Sequence, residues 1–366
     1  MNDKQACRNT TSGFSGNLIA GGKIMNNHGI YIYGIINSGM NKFIANYSTE
    51  EEDKIYGLSY QDISAILDNS RIFDYSNLPK DILMRKLLKH QTIIEEIMNL
   101  GYTIIPMKLG TLVSDENEVR DILVKGFTLT KEIFKKIEDK IEIDLVVSLN
   151  DLNSILKEIG ENDVIKKLKE EILVNPKEIT IEDKIKIGAA VKNGLDKIKE
   201  IVFFEILACL KKYSSDIKTH PLMDDTMIAN FAILIEKSKQ KDFERKVEAL
   251  NSEYSEKLNF RCVGPLPPYS FYTLEIKKLK FENIDWARRK LGLLNDFITK
   301  DEIKEARHAL AFSFHPDKNP DTPGIEKEFD EVTKAYKILW EYCQKDSCSF
   351  KEDEFERNAI LVRLRG

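Results

Sequence analysis

The stretch AFSFHPDKNPD, Ala311 to Asp321, gathers the densest set of chemistry-bearing residue types in the chain. It sets His315, Pro316 and Asp317 directly after an apolar, helix-like run. Asp317, Asn319, Asp321 and Glu328 also stand at positions one, three, five and twelve of the spacing used by helix–loop–helix calcium sites. The agreement stops there. Position six is Thr322 where glycine would permit the sharp turn, and Pro320 and Pro323 stiffen the loop. A Pro-Asp-Asn turn between two helices accounts for the same residues without an ion. Elsewhere the reactive types are dispersed. His28, His90 and His220 are far apart in sequence, and His90 falls inside an amphipathic helical pattern, where a packed or surface imidazole is the expectation. No Ser/His/Asp set, phosphate-cradling glycine loop or pair of catalytic acids stands out. The five cysteines, Cys7, Cys209, Cys262, Cys343 and Cys348, are odd in number and scattered without a Cys-x-x-Cys, which predicts neither a disulfide framework nor a zinc site. The residue types by themselves point to no catalytic, metal or cofactor site.

The elements that position these residues follow from length and pattern. A chain of 366 residues exceeds what one hydrophobic core serves, so two or three domains are expected. With 42% hydrophobic and 31% charged residues the composition is that of a globular protein. The 55 basic and 60 acidic residues are mixed along the chain, which leaves a net charge of -5 and no basic footprint for nucleic acid. The longest apolar run, Ile201 to Leu210, is interrupted by Glu205 and is about half of the roughly 20 residues a spanning helix requires, so no membrane segment is predicted. The absence of a secretory pattern and the cysteine usage point to the cytoplasm.

Residues 1 to 28, rich in Asn, Gly, Ser and Thr, read as a flexible tail. From Gly29, GIYIYGII supplies β-branched and aromatic groups to both faces of an extended segment, a strand covered on both sides. Ile55 to Leu67 reads as a further strand region paired with it. Ile82, Leu83, Leu87, Ile94 and Ile97 then mark a helical face that Gly101 ends. Tyr102 to Val113 reads as a strand in which Pro106 suggests an edge or bulge. A helix over Glu116 to Lys140 and a strand over Ile141 to Leu149 follow. Residues 150 to 212 predict helices with a solvated charged face, and Met227 to Glu236, Phe243 to Tyr254 and Phe260 to Ile276 return to strand, helix and strand. The expected organisation is a first α+β domain over 29 to 113, then a helical segment with a second over 114 to 280. A helical unit over 281 to 345 and a tail over 346 to 366 complete it.

Four stretches, YIYGI (Tyr31 to Ile35), HQTIIEEIM (His90 to Met98), IPMKLGTLV (Ile105 to Val113) and GPLPPYSF (Gly264 to Phe271), have a shared order and spacing. Together they make the chain from about Gly29 to Lys278 resemble the gas vesicle accessory proteins of the GvpF/GvpL family. That resemblance implies two ferredoxin-like α+β domains with intervening helices and no catalytic chemistry. It also implies a place in gas vesicle assembly, with the small hydrophobic shell protein and other accessory proteins as partners. An apolar, aggregation-prone partner calls for exposed strand edges or grooves. Ile105, Met107, Leu109 and Leu112 are the candidate edge for the shell protein, with an ordinary core strand as the plain alternative.

Beyond Lys280 the pattern is helical. Thr299 with Glu302 is a capping-box pair, and Ile303, Ala306, Leu310 and Phe314 line the helix they open, which ends at Pro316. A second helix over Ile325 to Gln344 buries Ile325, Phe329, Val332, Tyr336 and Leu339. This hairpin, with His315-Pro316-Asp317 at its tip and WARRKLGL (Trp286 to Leu293) before it, resembles the J domain of Hsp70 co-chaperones over about Asn283 to Lys345. An all-α J-like hairpin is therefore expected after the α+β domains. The resemblance implies that His315, Pro316 and Asp317 engage Hsp70 and that Lys304 and Arg307 steer it. Ser313 stands where that family usually has a lysine, and Asp301, Glu302 and Glu305 dilute the field. The alternative reading is a J-domain co-chaperone whose α+β body holds general clients. Arg357, Arg363 and Arg365 flank an apolar centre in the last residues, which read as a short docking helix or a frayed tail.

Overall fold

The computed structural model describes residues 28–39, 43–46, 54–71, 75, 78–173, 180–254, 257–320, 322–352, 354–355 and 359–365. The expected N-terminal tail before His28 and the loop residue Asp321 lie outside the described residues.

The first unit is built on β1 (His28–Ile36), β2 (Phe43–Asn46), β3 (Lys54–Tyr60), β4 (Ile63–Arg71), β5 (Ile104–Pro106) and β6 (Leu112–Val113). They form an antiparallel sheet in the order β2-β3-β4-β1-β5, and β6 also pairs with β1. Helix α1 (Lys80–Asn99) covers one face and α2 (Glu116–Ile137) the other. Strand β1 accordingly has no wet side. Ile30 and Ile32 join the α2 core, while Tyr31 and Tyr33 join the α1 core. A register shift between Ile32 and Gly34 exchanges the faces, so that Ile35 looks to α2 and Ile36 to α1. A Cβ on Gly34 would stand 2.8 Å from the Ile105 carbonyl oxygen, so the close approach of β5 requires glycine here.

Two segments expected to be single strands are each two. Ile55 to Leu67 is the β3–β4 hairpin, turned at Gln61 with a positive φ of 52°. Tyr102 to Val113 splits into β5 and β6 around Gly110, whose φ of 85° suits glycine. Both pieces pair with β1 at the end of the sheet, as Pro106 suggested. Helix α2 packs on this sheet, so the first core extends past the boundary expected at 113.

The second unit runs β7 (Lys140–Leu149), α3 (Leu152–Gly160), α4 (Asp163–Leu173), α5 (Ile181–Leu210), β8 (Asp216–Thr219), β9 (Met227–Glu236), α6 (Gln240–Glu253) and β10 (Leu258–Leu266). Its antiparallel sheet has the order β10-β7-β9-β8, the ferredoxin-like arrangement. The strand order of the first unit is a different α+β solution. Helices α3, α5 and α6 cover one face of the second sheet through Ile143, Leu145, Phe231, Ile233, Ile206 and Phe243. The other face turns Glu142 and Asp144 towards the first unit.

The J-like unit comprises α7 (Phe281–Lys290), α8 (Lys300–Ser313) and α9 (Ile325–Tyr342) around Ile284, Ile303, Val332, Ala335 and Leu339. A short ribbon of β12 (Phe297–Thr299) and β13 (Ser347–Ser349) closes its base. Within the expected tail, the described residues 360–364 form a strand, not a helix or a frayed end. Strand β14 (Ile360–Leu364) pairs antiparallel with β11 (Leu274–Lys278), and Val362 enters the first core. Gly126 on α2 permits this, since a Cβ there would meet Val362 Cγ1 at 3.0 Å.

Candidate functional site

The hairpin tip is assembled by local hydrogen bonds. Thr299 caps α8 as the sequence predicts: its hydroxyl accepts from Glu302 N–H, and Glu302 Oε2 accepts from Thr299 N–H at 2.7 Å. Helix α8 stops at Phe314, one residue before His315, because Pro316 can neither donate nor tolerate a helical predecessor. Pro316–Lys318 forms a single 3-10 turn. Asn319 Nδ2 donates to the Ser313 and His315 carbonyls at 2.9 and 3.1 Å, which staples the turn to the end of α8. His315 Nδ1 accepts from Asp317 N–H, and the imidazole meets Phe329 of α9 edge-on at 5.6 Å. The ring is thereby oriented. The Asp317 side chain, 88% exposed, projects into solvent with His315 Nδ1 3.7 Å away. An oriented imidazole and a free carboxylate on a rigid turn suit docking to a cationic or polar surface.

Lys304 and Arg307, the two cations expected to steer Hsp70, do not form a free basic face. Arg307 lies over the Tyr336 ring at 4.6 Å, and Lys304 pairs with Asp301 at 3.0 Å while standing 5.4 Å from the Trp340 centroid. Lys300 shares Trp340 at 5.1 Å. The cations of α8 thus lean on aromatic residues of α9, a cation–π packing worth about 0.5–2 kcal/mol each. Phe312, 68% exposed, stands out on α8 near the tip.

Of the four residues expected at a shell-protein edge, Ile105 and Met107 are buried and Leu109 and Leu112 half-buried. Beyond β5 the chain is covered by β11, with Lys108 N–H bonded to the Leu274 carbonyl at 2.7 Å. Ile105 and Met107 therefore serve the first core, while Leu109 lines a cleft.

That cleft, about 550 Å3, lies between the first unit and the face of the second sheet opposite its helices and was not legible in the sequence. On its floor both Glu142 oxygens accept from Ser270: the backbone N–H at 2.9 Å and the hydroxyl at 2.7 Å. His220 Nε2 stands 3.1 Å from the same hydroxyl oxygen. With its hydrogen committed to Glu142, Ser270 Oγ offers His220 only a lone pair, the reverse of what an activated nucleophile requires. The arrangement is a clamp that holds the Pro-rich turn, Pro267 to Phe271, against the second sheet. Burial pushes Glu142 up to about 7; the Ser270 bonds oppose this and neighbouring Asp144 adds to it. Burial also raises Asp144, with His220 and Glu142 working against it. Across the cleft, His90 Nδ1 bonds the Tyr31 hydroxyl at 2.9 Å, and burial lowers this imidazole to about 4.

An ion cluster ties the J-like unit to the body. Glu275 on β11 accepts from Arg363 Nε of β14 at 2.7 Å and from Lys108 at 3.1 Å. Glu341 on α9 accepts from Arg363 Nη1 at 2.8 Å and pairs with Lys277. Burial works to raise Glu275, but Arg363 and Lys108 outweigh it and hold the carboxyl below its usual range. Among the described residues no three metal-ligating side chains converge, and no helix is long and apolar enough to cross a membrane.

Two α+β units with a cleft between them are fused to a helical hairpin that carries His315-Pro316-Asp317 at its tip. The family model of the gas vesicle synthesis protein GvpL/GvpF matches residues 29–273, and that of the DnaJ domain matches residues 289–346. The chain belongs to the GvpL/GvpF family and bears a C-terminal DnaJ domain. It is 22% identical over 248 residues to gas vesicle protein F of a Nostoc species, covering 66% of this chain and 97% of that one. The fold matches the crystal structure of GvpF from an Anabaena species with a TM-score of 0.57, covering the same shares at 22% identity. The chaperone protein DnaJ of Chlorobium phaeobacteroides is 56% identical over 41 residues, 11% of this chain and 10% of that chaperone.

Proposed function

We propose that this gas vesicle protein holds the small hydrophobic shell protein on its α+β body and recruits Hsp70 through the His315-Pro316-Asp317 tip. The observation that carries the reading is the continuity between the two parts. Strand β14 pairs with β11, and Arg363 bridges Glu275 of the body and Glu341 of α9. A subunit held on the body then lies at a set distance from the tip, which raises the effective concentration of chaperone beside it. Ser270 and Glu142, which resemble a reactive pair, hold a turn. Leu109 and Leu112 remain the accessible part of the expected shell-protein edge.

The test is selective capture. Purified full-length protein should retain the shell protein from a mixture that also contains unrelated unfolded chains. Equal capture of all of them would favour a general co-chaperone and remove the assembly reading.

A further inference from the structure

Strand β14 is the outermost strand on its side of an extended sheet. Its partner β11 joins the chain just past β5 through the Met107–Leu274 bridge, and among the described residues no strand pairs with the far side of β14. The register shows which groups are left over. Arg365 N–H donates to the Thr273 carbonyl and Leu279 N–H to the Ala359 carbonyl, so Leu361 and Arg363, in step with them, turn their backbone groups to β11. Ile360 and Val362 turn theirs outward, spaced to receive a further strand. A cavity of about 600 Å3 lies there, lined by Ile360 and Val362, by Val124 and Lys125 of α2, and by Phe297 and Lys345 of the J-like unit. Val124 and Phe297 are exposed apolar side chains. Glu354 is the acid in the same wall; Asp121 and Glu118 also act on Lys125, but Glu118 is paired with Lys278. By contrast, the edge strands of the second sheet, β8 and β10, carry Asp216, Lys218 and Arg261, charges that discourage pairing.

We propose that β14 takes up one extended segment of another protein as an added strand, a segment apolar at alternate positions and bearing a carboxylate. The backbone groups of Ile360 and Val362 pair with it, Val124 and Phe297 cover its apolar side chains, and Lys125 and Lys345 attract its carboxylate. The enclosure selects a single segment. A cavity of this volume between α2 and the J-like unit admits one strand, not the sheet of a second folded copy. Residues 1–27 of the chain itself carry Lys4, Arg8 and Lys23 against Asp3 alone, the wrong sign for two lysines. The occupant is therefore a partner's acidic, strand-forming segment, held between the body and the J-like unit.

The inference stands apart from shell-protein capture and is tested on the full chain with a short synthetic peptide that alternates valine and threonine and ends in glutamate. Binding is read by fluorescence anisotropy, and amide exchange at Ile360 and Val362 by NMR. The peptide should bind and slow exchange at both amides. N-methylation of one alternate set of its amides should weaken binding about tenfold, and of the other set much less. Lysine in place of the glutamate should weaken binding severalfold, and Lys125→Glu should reverse that preference. Ile360→Pro removes the outward donor at the first residue of β14 without touching the pairing to β11, and should weaken binding as N-methylation does. No binding, binding that leaves Ile360 and Val362 unprotected, or indifference to N-methylation would each overturn the proposal. So would protection of these amides in the protein alone, either at every concentration, from its own residues, or rising with concentration, from a second copy.

Discussion

Glu142 and His90 both line the cleft and have opposite pH dependences, and replacing either should tilt the stability of the protein in a predictable direction. Glu142 rises from 4.5 to about 7 on folding, so the folded state holds more protons within that window. Its contribution is therefore greatest below the unfolded value and is lost as pH rises towards about 7, by about 3 kcal/mol at about 1.4 kcal/mol per unit. Asp144 shifts in the same direction. His90 falls from 6.5 to about 4, so the unfolded state holds more protons between those values. Its contribution is complete above 6.5 and is lost as pH falls, by a similar amount of about 3 kcal/mol. In the wild type the two slopes oppose each other. Glu142→Gln keeps one acceptor, for the Ser270 backbone N–H, and sets an amide donor against the Ser270 hydroxyl, which can accept it. Urea unfolding at about pH 8 should show this variant more stable by about 1–3 kcal/mol, after allowing for the weaker neutral acceptor. Its stability should fall more steeply than that of the wild type as pH drops below 6.5, the unfolded His90 value. His90→Asn should tilt the curve the other way. A Glu142→Gln curve parallel to the wild type, or destabilised at both ends of the range, would refute the reasoning.

Two further substitutions test the architecture. Thr299→Ala removes the capping box of α8 and should cost about 1 kcal/mol in the J-like unit, read as faster hydrogen exchange in the first turn of α8 with the body unchanged. Gly126→Leu drives a side chain into Val362 and should cost about 1–3 kcal/mol, with increased proteolysis of the last residues as β14 separates from α2.

Much of the fold was legible where the signal is local. The unbroken apolar alternation of GIYIYGII announced a strand without a wet face, and α1 and α2 cover it on both sides. The Thr299 and Glu302 pair marked the start of α8 because a cap needs only four residues. What the sequence hid is non-local or lacks a turn signature. The β3–β4 hairpin turns at Gln61 and Asp62, with no glycine or Asn-Gly to announce it. The β11–β14 pairing joins segments as distant as Glu275 and Arg363, 88 residues apart, and β14 carries no pattern that names its partner. The Glu142–Ser270 clamp spans 128 residues, so the acid beneath the Pro-rich turn could not be read from the turn itself. Lys304 and Arg307 were visible as cations, but the aromatic side chains they cover lie on another helix.

The most direct test of the account is Hsp70 ATP hydrolysis under single-turnover conditions, measured with the full-length protein in the presence and absence of the shell protein. Wild type should stimulate hydrolysis, more strongly with shell protein bound, and His315→Gln should lose the stimulation while retaining shell-protein capture. A wild-type protein that leaves hydrolysis at its basal rate, or a His315→Gln variant that stimulates it equally, would contradict the account.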